Sequence, residues 1–160
     1  MSTEDAPVPV APEVPGAAPH LLVVRAPYYR AVVDGMTEGV RAILRAAGAT
    51  HDELDVAGAF ELPQAVRLAL RGTTRFDGFV VLGCVVRGET DHYDHICRVS
   101  MQGLMDVALQ FGLALGTALL TTDTLAQAEA RSGLDGPNKG AEAAAAALRQ
   151  IAVARLLGAA

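Results

Sequence analysis

Hydrophobic positions alternate along the chain between short unbroken runs and longer stretches at helical spacing. Leu21 to Arg25, LLVVR, is a continuous apolar run, the pattern of a strand covered on both faces. From Tyr29 to Ala47, Val32, Val33, Met36, Val40, Ile43, Leu44 and Ala47 share one helical face. Asp34, Glu38, Arg41 and Arg45 occupy the other, and Gly48 closes the helix. HDELDVAG predicts a weaker strand, followed by a helix that Pro63 opens and that runs to about Arg71. FDGFVVLGC, with β-branched residues inside, is the clearest strand. The polar loop VVRGETDH leads into a helix from about Tyr93 to Phe111, and LGTALLTT forms the fourth strand. A short helix spans 124–132, and after the turn GLDGPNKG an alanine-rich helix runs from about Lys139 to Leu157.

Strands alternating with helices imply right-handed βαβ units, hence a four-stranded parallel sheet in a three-layer α/β/α sandwich. Ligands of such folds bind beyond the carboxyl ends of the strands. Those ends are Ala26 to Tyr29, Gly58 to Glu61, Gly83 to His92 and Thr121 to Thr124, where polar and aromatic residues cluster. The first twenty residues are rich in Pro, Ala and acid. They read as a flexible extension, or a strand pairing only at an edge, with order beginning near Leu21 and one domain over 21–160. Ala143 to Ala147 offer a smooth small-residue surface, which suggests contacts between copies of the chain.

Composition narrows the class. A length of 160 residues fits a single domain, and 51% hydrophobic residues rule out a disordered chain. The net charge of −5 and pI near 5.3 disfavour a nucleic-acid groove. Cys84 and Cys97 are too few for a disulfide framework. The amino-terminal segment carries Glu4, Asp5 and Glu13 without Lys or Arg, the reverse of a signal peptide. No apolar run approaches the roughly 18 residues that span a bilayer. The expectation is a soluble, cytoplasmic protein that binds neither membrane nor nucleic acid. Twelve of its thirteen basic residues are Arg, and Lys139 is the single Lys.

GCVVRGETDHYDHI, Gly83 to Ile96, carries the most chemistry. A strand ends, a glycine-containing loop turns and a helix begins, so unpaired amides and the helix dipole favour an anion such as phosphate there. Thr90 adds a hydroxyl; the alternative is an ordinary loop with Thr90 or Asp91 as N-cap. The loop has neither a GxxxxGK[ST] nor a GxGxxG pattern. His92 and His95 share a helix face but lack a third and fourth partner for a metal. A single His beside a carboxylate fits a proton shuttle, while a surface position suits His95. In GAFELP, Glu61 either accepts hydrogen bonds from ligand hydroxyls or only complements a helix dipole. Tyr28 would stack on a planar heterocycle or pack in the core. Arg131 and Lys139 flank GLDGPN and otherwise read as surface charges.

Together these segments resemble the 6,7-dimethyl-8-ribityllumazine synthases, the penultimate enzymes of riboflavin biosynthesis. The resemblance rests on Tyr28, GAFELP (58–63), LGCVVRGETDHYD (82–94), LTTDT (120–124), EARSG (129–133) and NKG (138–140), in the family's order and spacing. It implies a flavodoxin-like strand order. The implied reaction condenses 5-amino-6-(D-ribitylamino)uracil with 3,4-dihydroxy-2-butanone 4-phosphate, without metal or organic cofactor. By the same resemblance Tyr28 stacks on the pyrimidine, Ala59, Phe60 and Glu61 bind the ribityl chain, and Cys84, Val85 and Val86 line the pyrimidine pocket. Glu89, through its N–H, and Thr90 bind phosphate with Arg131. His92 is the acid/base, and Lys139 contacts the pyrimidine substrate. Family members form pentamers, some of which assemble into sixty-subunit shells, and a neighbouring subunit supplies Arg131 and Lys139.

The chain departs from its relatives at Pro27 before Tyr28, at Glu89 beside the phosphate, and at Thr117, where many relatives place Phe as a second wall of the pyrimidine pocket. The competing reading is a non-catalytic ribityl- or flavin-binding or scaffold protein of the same fold. Loss of His92 or Arg131 would mark it, and both are present.

Overall fold

The computed structural model describes residues 8–72 and 75–159; residues 1–7 of the extension and residue 160 lie outside them. The elements follow in chain order as β1 (His20–Ala26), α1 (Arg30–Ala46), β2 (Thr50–Asp55), α2 (Leu62–Ala69), β3 (Gly78–Val86), α3 (His92–Phe111), β4 (Leu115–Thr122), α4 (Leu125–Glu129) and α5 (Lys139–Leu156). Single 3-10 turns, Pro27–Tyr29 and Ala59–Glu61, precede α1 and α2.

The four strands pair in parallel in the order β2-β1-β3-β4, the flavodoxin-like arrangement of a three-layer α/β/α fold. The unbroken apolar run of β1 divides between two cores, because alternate side chains point to opposite faces. Leu21 and Val23 join Val80, Leu82, α1 and α5 on one face. Leu22 and Val24 join Phe79, Val81, α2 and α3 on the other. The order reverses between β1 and β3, and the carboxyl ends of those strands open the crevice such folds use for ligands.

Two helices end earlier than their sequence patterns suggest. After α4, Arg131 N–H bonds Ala128 O and Ser132 N–H bonds Glu129 O, and after α2, Arg71 N–H bonds Leu68 O. These are i to i−3 bonds, so the last turn tightens and leaves the α geometry.

The alanine stripe of α5 does not form an external face. Ala143, Ala144, Ala145 and Ala147 are buried inside the chain, and Ala146 is exposed. They lie against α1 and β4 because a glycine on β4 and another in the first turn of α5 itself admit a close approach. A Cβ on Gly116 would overlap the Ala143 carbonyl, and one on Gly140 would overlap that of Met36. The inter-subunit expectation for this stripe is therefore replaced by an internal one.

The extension is also tied down upstream of Leu21. Ala11 and Val14 pack against the core, and the Arg155 guanidinium donates to Pro15 O at 2.8 Å and Ala17 O at 2.6 Å. Proline removes donors from this segment but leaves its carbonyls as acceptors, and Pro19 O takes a bond from Thr50 N–H at 2.9 Å.

Candidate active site

A cavity of about 460 Å³ opens at the carboxyl ends of β1 and β3, between the two 3-10 turns and the start of α3. Its walls include Tyr28, Ala59, Phe60, Glu61, Cys84, Val85, Val86, Thr90 and His92. These expected site residues therefore converge on one pocket, although they come from four separate segments.

Tyr28 is 79% exposed and Phe60 51% exposed. Both stand out of the core as flat apolar surfaces on the pocket rather than as packing residues. Tyr28 leans edge-on against Tyr29, with ring centres 5.3 Å apart. Pro27 enters the turn that carries it and fixes its backbone angle.

Gly58 is extended and the Glu61 N–H returns to its carbonyl at 3.2 Å, which closes the turn tightly. Glu61 occupies the N-cap position of α2 in a helical backbone conformation and makes no side-chain capping bond. Its carboxylate is not consumed by the helix, which leaves it available to ligand hydroxyls.

β1 pairs with β3 only as far as Ala26 and Gly83, whereas β4 stays paired to Val86. The main-chain groups of residues 84–86 on the β1 side thus have no strand partner and open into the pocket. Cys84 is buried, and burial pushes its thiol up to about 11. It serves the wall as an apolar group rather than as a nucleophile.

The loop after β3 brings Gly88 and Thr90 to the pocket, while Glu89 is exposed and its side chain is not part of the wall. α3 begins at His92, with Asp91 in the N-cap position making no side-chain capping bond. The first-turn amides of a twenty-residue helix are therefore uncapped by any side chain beside Thr90 and His92. His95 is exposed on α3 and outside the pocket wall. Among the described residues, no three His, Cys, Asp or Glu side chains gather as metal ligands.

Three expected residues lie elsewhere. Arg131 and Lys139 are brought together, since Lys139 N–H donates to the Arg131 carbonyl at 2.9 Å, but neither lines this chain's pocket. Arg131 Nη1 bonds Gln127 O at 2.7 Å. Thr117 sits mid-strand on β4, opposite Val81, and lines a separate apolar groove with Met101, Met105, Leu109 and Val153. It is not a wall of this pocket within its own chain.

The pocket also recruits Tyr29, Ala57, Gly88, Tyr93 and Ile96, which sequence reasoning did not single out. Tyr93 and Ile96 are spaced three apart at the start of α3, an apolar pair on one helix face. That spacing was the available signal, overshadowed by the two histidines beside it.

The family model described as 6,7-dimethyl-8-ribityllumazine synthase matches residues 18–155. The 6,7-dimethyl-8-ribityllumazine synthase of Paramagnetospirillum magneticum is 44% identical over 144 residues, covering 86% of this chain and 96% of its own. That of Agrobacterium fabrum is 43% identical, covering 88% of this chain and 97% of its own. The 6,7-dimethyl-8-ribityllumazine synthase 1 of Rhizobium meliloti is 44% identical, covering 88% and 94%. With a match across nearly all of the folded domain, the chain belongs to the 6,7-dimethyl-8-ribityllumazine synthase family.

Proposed function

We propose that the chain condenses 5-amino-6-(D-ribitylamino)uracil with 3,4-dihydroxy-2-butanone 4-phosphate to give 6,7-dimethyl-8-ribityllumazine, releasing phosphate and water. Family membership supports the reaction, and one observation carries its assignment to this site. The exposed faces of Tyr28 and Phe60 share a single cavity with Glu61, Thr90 and His92. A cavity of about 460 Å³ suits a small heterocycle with a polar tail.

In this reading Tyr28 stacks on the pyrimidine and the free main-chain edge of Cys84, Val85 and Val86 meets its polar rim. Ala59, Phe60 and Glu61 receive the ribityl chain. The Glu89 N–H, Thr90 and the start of α3 take the phosphate. The ring amine attacks the ketone to form an imine with loss of water, phosphate is eliminated, and ring closure releases water again. His92 moves protons through these steps, and the site contributes chiefly by holding two reactants together. The reaction needs no metal or organic cofactor.

Arg131 and Lys139 act in a neighbour's site, so the working unit is a homo-oligomer, at least a pentamer in the cytoplasm, independent of membrane or nucleic acid. That neither lines its own chain's pocket supports this, as do the exposed Met101, Met105, Leu109 and Val153 along the groove that holds Thr117. Among the described residues, no helix is long and apolar enough to cross a membrane.

The test mixes the two substrates with purified protein and follows lumazine fluorescence. Product formation supports the assignment, and no product at millimolar substrate sinks it. Native mass spectrometry checks the assembly, where a lone monomer with full turnover would refute the role given to Arg131 and Lys139.

A further inference from the structure

Arg87 follows β3 directly, its N–H still donating to the Thr122 carbonyl at 2.9 Å. Its side chain then turns toward the start of α3. Nη1 and Nη2 each donate to one oxygen of Asp94 at 3.2 Å, and Nε donates to Asp123 Oδ1 at 3.1 Å. The guanidinium carbon lies 4.1 Å from the centre of the Tyr93 ring. One planar cation thereby joins the end of β3, the residue after β4, and the first turn of α3.

This arrangement bears on the turn that carries His92, where Tyr93 is also bonded to Thr121 on β4. Residues 87–91 form no helix or strand of several residues, and no side chain caps α3. His92 precedes Tyr93 and Asp94 by one and two residues, so a tie on those two sets the direction in which His92 enters the pocket.

We infer that Arg87 is a positioning residue for the proposed reaction, clamping Asp94, Tyr93 and Asp123 so that Thr90 and His92 are held toward the bound substrates. The inference rests on the function proposed above. Arg87 is not itself a phosphate ligand: three of its five donors are already given to carboxylates, whose charge opposes an anion, and its side chain is not part of the pocket wall. Asp94 reflects the same contact, its carboxyl held below the ordinary range first by the Arg87 hydrogen bond.

Arg87→Lys and Asp94→Asn test the clamp, each measured for steady-state kinetics and for amide exchange of residues 88–95 in the unliganded oligomer. Lysine keeps the charge but loses the fork that spans two carboxylates. The expected result is a fall in kcat of roughly ten- to a hundredfold in both variants. KM for the aminouracil stays near wild type, and exchange across the first turn of α3 becomes faster. Wild-type kcat and exchange in Arg87→Lys would overturn the inference. So would a defect confined to KM for the phosphate-bearing substrate, which would make Arg87 a phosphate ligand. If the wild-type protein forms no lumazine, the reaction assignment falls, and unchanged exchange in the variants would still refute the clamp separately.

Discussion

The Lys139 ammonium is held by Glu142 within its own helix, with Nζ 2.8 Å from one carboxylate oxygen and 2.7 Å from the other. Lys139 is the first residue of α5, where the helix dipole disfavours a cation, and Glu142 in the same turn offsets that. A lysine at this position is therefore a poor choice for stability alone. Lys139→Met should fold and assemble with stability within about 0.5 kcal/mol of wild type, yet lose turnover. Lys139→Arg should also assemble and bind substrate less well, because a planar guanidinium does not replace a compact ammonium with three donors. Thermal melting, native mass and kinetics on both variants check this. Normal activity in Lys139→Arg would remove the lysine from the site.

Tyr28 separates binding from folding cleanly. A ring that is 79% exposed contributes little to the core, so Tyr28→Ala should leave the melting temperature unchanged. Stacking on a nucleobase-like ring is worth about 1–3 kcal/mol, so affinity for the aminouracil should fall by roughly 5- to 150-fold. Tyr28→Phe keeps the face and should keep most of the affinity. Titration of the pyrimidine substrate into each variant gives the comparison, and a loss in Tyr28→Phe equal to that in Tyr28→Ala would assign the work to the hydroxyl.

The strands, helices and their order were legible because apolar periodicity reports burial directly. The two cores split Leu21 and Val23 from Leu22 and Val24 as a doubly covered strand requires. Periodicity does not report what covers a buried face. The stripe Ala143 to Ala147 has the same pattern whether a neighbour or α1 lies against it, and the glycines at 116 and 140 decide for the interior. The pocket residues were legible as motifs at strand ends. Thr117 does not line its own chain's pocket, and a motif position carries no information on which chain's pocket it faces. The Arg87 clamp was hidden for another reason: its carboxylates are 7 and 36 residues away, and only the folded loop brings them together.

Cys84 should be unreactive despite lining the pocket. Burial pushes its thiol up to about 11, and the thiolate is the reacting form. At pH 8, alkylation by iodoacetamide should run at least about a hundredfold slower than for free cysteine. Cys84→Ala should retain turnover, since the pocket uses the main chain and an apolar wall at this position. Rapid alkylation of Cys84 with loss of activity would contradict the wall assignment.

Asp94 gives a pH dependence with a definite sign. Its folded-state carboxyl lies below the ordinary value, chiefly through the Arg87 hydrogen bond. A depressed carboxylate contributes fully above the ordinary carboxylate range and loses its contribution as pH falls through the lowered value. The clamp on α3 should thus persist at neutral pH and open only in strong acid. Carboxyl-carbon NMR titration should show a low midpoint for Asp94 in the wild type. In Arg87→Met the midpoint should rise toward the ordinary carboxylate range. An identical midpoint in both proteins would mean that the guanidinium does not hold Asp94 in solution.

Asn138 should be the costlier of the two side chains of the NKG turn to truncate. It is 5% exposed, and its Nδ2 donates to Gly35 O and Ser132 O at 2.9 Å and to Gly133 O at 3.3 Å. Its Oδ1 accepts from Ala141 N–H at 3.0 Å and so caps α5. Asn138→Ala strands these buried groups and removes the cap, at a cost of about 2–3 kcal/mol. That should lower the melting temperature by roughly 5–10 °C. Asn138→Asp keeps the capping acceptor but faces three carbonyl oxygens with a carboxylate, and should be no better than Ala. Because Lys139 N–H is anchored on the Arg131 carbonyl across the same turn, both variants should also lose turnover and pyrimidine affinity in the assembled protein. Rescue by Asp would show that the cap alone matters and that the three donated bonds contribute little.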